Sequence, residues 1–203
     1  MVFEIFGNYA SYAVGIAIII ASFVLAKVFM KMFERFVLHV TSKTHTQLDD
    51  MIIRAIKWPV YFAIVLFGVY ISVDYLDFLD AYISLISQAF SIAWILLVAY
   101  AVAGMISAFL EWYREDIAKK THSKIDDTAV PIVRKLIKAF IYAIALILVL
   151  HSFGVEVTPL LAGLGVGGIA IALALQGPLS NLFAGTFLVS DKAVKSGDYI
   201  LQH

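Results

Sequence analysis

The sequence contains no cysteine. That excludes a disulfide framework, a Cys-ligated zinc site and thiol catalysis. Charge is scarce: 15% of the 203 residues are Asp, Glu, Lys or Arg, where a soluble domain carries about a quarter. Fifteen basic residues balance fifteen acidic ones, so no excess of positive charge marks a nucleic-acid binder. No P-loop, HExxH motif or Ser/His/Asp arrangement is present, so nothing points to an enzyme or calls for a cofactor. No short signal-peptide pattern with a small-residue cleavage site opens the chain, and the first apolar run is expected to stay in the membrane.

What the sequence has instead is apolar surface. Hydrophobic residues make up 62% of it, more than a soluble core of this size can hide. The fold class expected is an all-α membrane protein with five transmembrane helices. A span needs about 20 mostly apolar residues. The candidate runs are Tyr9–Ala26, Trp58–Val73, Ala81–Leu110, Ala139–Phe153 and Val157–Ser190. The second extends backward through Met51, with Arg54 and Lys57 reaching the interface. A basic amphipathic turn, Pro131–Lys138, precedes the fourth. The fifth is too long for one straight span.

Loop charge orients these runs. The N-terminus and the segments Asp74–Asp80 and Phe153–Thr158 hold Glu4, Asp74, Asp77, Asp80 and Glu156, and no Lys or Arg. All fifteen basic residues fall on the other side. Basic residues collect in the cytoplasm, so the N-terminus is expected outside the cell membrane and the C-terminus in the cytoplasm.

Lys43–Asp50 reads Lys-Thr-His-Thr-Gln-Leu-Asp-Asp, and Lys120–Asp127 reads Lys-Thr-His-Ser-Lys-Ile-Asp-Asp. The offset of 77 pairs residues 1–80, a first hairpin, with 81–156, a second. Such a repeat is parallel, unlike the inverted repeats of many transporters. His45 and His122 with their paired aspartates could be metal ligands, but helix punctuation is the simpler reading: acidic residues favour a helix N-terminus. Nearby basic residues suit anionic lipid headgroups.

Residues 157–190 are built differently. From Ala162 to Ala174, eight of thirteen residues are Gly or Ala. At 100° per residue they form two stripes: Gly163, Gly167, Ala170 and Ala174 on one side, Gly165, Gly168 and Ala172 on the other. Val166, Ile169 and Leu173 fill one remaining face; Leu164, Ile171 and Leu175 fill the other. Small residues let membrane helices approach closely. Two opposite small faces suit a like neighbour on each flank, as in a ring. A helix buried inside a monomeric bundle is the alternative. Gln176 shares the angle of Ile169 and hints that this face meets water. Gly177 and Pro178 are expected to break the helix, leaving Leu179–Ser190 as a second piece at a large angle.

The segment Ala172–Gly185, Ala-Leu-Ala-Leu-Gln-Gly-Pro-Leu-Ser-Asn-Leu-Phe-Ala-Gly, resembles the pore-helix signature of the small-conductance mechanosensitive channel (MscS-like) family. Gly165–Ala174 resembles that family's Gly/Ala-rich helix. Lys192–Ile200 resembles its entry into a cytoplasmic β and α/β domain, so residues 191–203 are expected to be the start of that domain, cut short here. By the resemblance, Ile169 and Leu173 are the apolar gate, Gly177 with Pro178 the kink, and Gly165, Gly168 and Ala172 helix packing. It also implies a homo-oligomer, a heptamer, among membrane lipids, passing ions. Pro178 stands where the family often has a small polar residue.

The function expected is a tension-opened, weakly selective channel that releases ions and small solutes on osmotic downshock. A secondary transporter is the alternative, but Ala81–Leu110 and Val157–Ser190 offer no Asp, Glu, Lys, Arg or His for a pathway. A non-conducting membrane scaffold is a third reading.

Overall fold

Backbone amides inside lipid have no water to bond, so an apolar run must satisfy them within a helix. A computed structural model of the chain describes residues 2–41, 47–118 and 124–191. All regular structure among these is helical: α1 (Val2–Thr41), α2 (Gln47–Val73), a short 3-10 turn (Asp77–Tyr82), α3 (Ile83–Trp112) continuing into a π-helical turn (Tyr113–Ala118), α4 (Lys124–Ser152) and α5 (Thr158–Ser190). The chain divides into two units, residues 1–155 and 156–203, and each is described by itself.

In the first unit α1 packs on α2, α2 on α3 and α3 on α4. Cross-helix pairs give the directions. Tyr12 meets Phe78, just past α2, edge-to-face at 6.0 Å, and Gly68 lies against Ser22. Rising numbers on α1 thus meet falling numbers on α2, and the pair is antiparallel. Tyr70 with Phe90 and Gly104 with Ala55 make α2 and α3 antiparallel. Gln88 Nε2 donates to the Ser152 carbonyl at 2.7 Å, and Arg134 donates to Glu111, so α3 and α4 run antiparallel as well.

The seams are made of small side chains. Ser22 and Ala26 on α1 are buried, and so are Ala99 and Ala103, 77 positions on in α3. Gly68 on α2 and Ala145, 77 positions on in α4, are buried opposite them. In lipid, helices gain little by hiding Leu from Leu. Close backbone approach is what holds them. The Ser22 and Ser72 hydroxyls cost little here, because each donates to its own helix, to Ile19 O and Val69 O, at 2.7 Å. Large residues such as Leu85, Phe62 and Leu136 point outward.

Caps and turns follow local chemistry. α2 and α4 begin at Gln47 and Lys124, which puts Asp49–Asp50 and Asp126–Asp127 in their first turns, where the helix dipole favours negative charge. Residues 43–46 and 120–123 of the repeated octapeptides lie outside the described residues. α4 stops at Gly154, whose φ of 78° is open to glycine at no steric cost. Gly154 N–H donates to His151 O at 2.9 Å and Val155 N–H to Leu150 O at 3.1 Å, the paired bonds of a Schellman cap.

Two expectations meet the structure differently. Among the described residues four stretches are long and apolar enough, by length and composition, to cross a membrane: Ala10–Phe33, Asp50–Val73, Phe78–Glu115 and Thr158–Leu188. α4 is not among them; Arg134, Lys135 and Lys138 interrupt it, and its uncharged run is 15 residues. The break at Gly177–Pro178 is also absent. α5 is one helix with Pro178 inside it. Proline removes a single donor, leaving the Ala174 carbonyl without its usual partner, and helical torsions on both sides survive that loss. Residues 192–203, the expected start of a further domain, lie outside the described residues.

Candidate functional site: the glycine-rich helix

α5 sets every residue singled out at its far end on one cylinder. A helix turns 100° per residue, and α5 is unbroken from Thr158 to Ser190. Gly163, Gly167, Ala170 and Ala174 therefore do share a face, and Gly165, Gly168 and Ala172 share the opposite one. Ile169 and Leu173 stand four apart and stack one turn above the other. Gln176 follows on the same side.

Taken by itself, a single helix has nothing to bury against. Ile169 is 63% exposed and Leu173 65%; on the opposite large face Ile171 is 63% and Leu175 54% exposed. The two large faces are similarly open on a single chain. A Cβ placed on Gly163, Gly165, Gly167 or Gly168 would meet nothing within 4 Å, so both small stripes can take a helix laid against them. Beyond Pro178 the surface becomes mixed. Asn181, Leu182, Gly185, Thr186 and Ser190 line a shallow groove, and Thr186 Oγ1 donates back to Leu182 O at 2.8 Å.

Chemically this helix carries no ionisable side chain from Thr158 to Ser190. It offers shape and wetting. A ring of such helices would turn one large face to its axis as apolar collars, and apolar collars stop ions by shedding water.

Sequence reading missed one polar feature, at the other end of the second hairpin. Glu111 on α3 bridges Arg134 on α4 and, at 2.7 Å, Arg114 one turn on. Arg134 Nε is buried with no hydrogen-bond partner among the described residues. The signal was there: the offset of 77 carries Glu34 onto Glu111 and Lys57 onto Arg134. A repeat noticed only in its loops also places an acidic and a basic residue at matching positions of its helices.

Comparison with known proteins now bears on this arrangement. Residues 135–176 match a family model described as mechanosensitive ion channel, transmembrane helices 2/3. The match ends at Gln176 and takes in both small stripes and both expected gate residues. Among curated proteins, the large-conductance mechanosensitive channel MscMJLR of Methanocaldococcus jannaschii is 34% identical over 191 residues, covering 94% of this chain and 53% of that one. The small-conductance mechanosensitive channel MscMJ of the same organism is 30% identical over 198 residues, 97% of this chain and 57% of that one. An MscS family protein of Bacillus subtilis, YhdY, is 24% identical over 193 residues, 95% of this chain and 52% of its own. The chain thus spans about half the length of the curated relatives it matches. No solved structure matches it.

Proposed function

Because this chain belongs to the family of MscS-type mechanosensitive channels, over its membrane-spanning region, we propose that it forms the membrane part of a tension-gated, weakly selective pore. The pore opens on hypoosmotic shock and releases ions and small solutes. The observation that carries this is the construction of α5: two small faces on opposite sides of one uncharged helix, with stacked large residues between them. Copies of α5 pack flank to flank through the glycine and alanine stripes and close into a homo-oligomeric ring, seven-fold by the family resemblance. Ile169 and Leu173 form the gate, and Gln176 lies at its wet end.

Tension acts as a population shift. The open ring occupies more area in the membrane plane than the closed one, so stretching the membrane favours it. No ligand or plug is required, and no step is catalytic.

α4 counts as a fifth span in this reading. The contacts Gln88–Ser152 and Glu111–Arg134 make it run beside α3. The 18 steps from Arg134 to Ser152 rise about 27 Å at 1.5 Å each, close to the roughly 30 Å of a bilayer core. Five spans put the N-terminus outside and the C-terminus in the cytoplasm of the inner membrane, as the basic residues ask. The chain has no native cysteine, so single cysteines report cleanly. Asp77→Cys should react with an impermeant thiol reagent added outside intact cells, and Lys120→Cys should not. The opposite pattern would reverse the topology.

The function is tested by suction on membrane patches containing the full-length protein. Stepwise currents that appear with tension and vanish on its release are expected. Their complete absence from properly inserted protein would leave a transporter or a scaffold.

A further inference from the structure

Two clefts in the first unit lie at the same end of their hairpins, the end at which α2 and α4 begin. The first, about 380 Å³ between α1 and α2, is lined by Lys27, Met30, Lys31, Lys57, Trp58 and Tyr61. The second, about 410 Å³ on the α3–α4 hairpin, is lined by Arg114, Pro131, Ile132, Arg134, Lys135 and Lys138. The repeat offset superposes three lining positions. Lys57, Trp58 and Tyr61 on α2 correspond to Arg134, Lys135 and Lys138 on α4.

We infer that these clefts are a repeat-related pair of sites for the phosphate of an anionic lipid headgroup, one on each hairpin, in the leaflet at that end. Three observations carry this. First, each cleft gathers cations: three lysines in one, two arginines and two lysines in the other. Glu111 holds two of the latter, Arg114 and Arg134, yet the second cleft stays net positive. Second, Arg134 Nε is buried without a partner among the described residues and sits on a residue lining that cleft. Third, exposed apolar side chains stand beside each cleft. Phe62 stands one turn from Trp58, its ring 6.1 Å away, and Leu136 adjoins Lys135; both are exposed. An acyl chain leaving the headgroup would run along that surface, which a free anion in water has no use for. Trp58 and Tyr61 sit where amphipathic aromatic rings prefer to be.

The inference rests on the membrane location alone and is independent of gating. It is tested on the full chain by native mass spectrometry after delipidation, with phosphatidylglycerol or phosphatidylcholine added at equal concentration. Wild type should retain two phosphatidylglycerol molecules per subunit beyond its phosphatidylcholine count. Lys27→Gln/Lys31→Gln and Lys135→Gln/Lys138→Gln should each lose one, with affinity at the altered site falling about tenfold or more, since each basic residue near an anionic surface contributes about fivefold. None of these four residues forms the Glu111 bridge. The charge-keeping pairs Lys27→Arg/Lys31→Arg and Lys135→Arg/Lys138→Arg should retain both lipids, which separates a lost site from a misfolded hairpin. Equal retention of phosphatidylcholine, unchanged lipid counts in both glutamine variants, or full displacement of phosphatidylglycerol by millimolar inorganic phosphate would each overturn the proposal.

Discussion

Leu173→Ser is expected to leave the pore conducting without applied tension. In the proposed ring, Leu173 is the lower of two apolar collars, and the closed state holds because water will not fill them. A fully buried leucine side chain avoids water by about 2 kcal/mol, and a ring repeats that preference once per subunit. Serine cancels it. The small stripes are untouched, so assembly should be normal. Patches should then show current at rest, and cells expressing the variant should grow several-fold more poorly. Leu175→Ser is the control on the other large face. It should disturb packing against neighbouring spans and raise no resting current. The reverse outcome, with Leu175→Ser leaking and Leu173→Ser tightly closed, would move the pore lining to Leu164, Ile171 and Leu175.

The second large effect is expected at Gly68, far from any pore. A Cβ added there would lie 2.1 Å from the Ser22 Cβ and 2.7 Å from its hydroxyl. Neither Cβ has a torsion that could move it away, so the α1 and α2 backbones must part. Overpacking of this kind costs about 1–3 kcal/mol, and the short distance puts Gly68→Ala near the upper end. The midpoint of unfolding in detergent should fall accordingly. Adding Ser22→Gly removes the opposing Cβ and leaves only the Ser22 Cα position at 3.5 Å, an ordinary contact. Exchanging glycine and a larger residue between two helices is close to neutral in propensity, about 1 kcal/mol in each direction. The double variant should therefore recover most of the loss. If Gly68→Ala is as stable as wild type, α1 and α2 do not meet at this seam.

These two sites differ in how far they could be read from residues alone. The stripes of α5 needed only a period of 3.6 residues, and one unbroken helix preserves them. Gly68 carries no such signal. It is one glycine in an apolar run, and what makes it critical is Ser22, 46 positions away in the sequence. The Glu111–Arg134 bridge sits between these cases. Its echo at Glu34 and Lys57 was legible through the offset of 77, but only once the loops had shown that an offset existed.

Proline marks where local rules misled. The residue before Pro178 is biased away from helix, and Gly177 adds freedom, so a break looked due. Pro59 and Pro131 also lie inside helices. One lost hydrogen bond is a small term against the need to keep every remaining amide bonded in an apolar setting. The same balance explains α4, whose charges argue against a span while its contacts carry it along α3.

What the sequence determined by itself is the class of the molecule and the design of its last helix. Excess apolar surface, uncharged runs and regular small-residue spacing are local properties, and the backbone's need for internal hydrogen bonds in lipid turns them into helices without further instruction. What only the tertiary structure decided is which residues touch across the seams: Gly68 on Ser22, Gly104 on Ala55 and Glu111 on Arg134. Those depend on the register between antiparallel helices. Register is set by the sum of many weak contacts across a seam, and no single position in the sequence announces it.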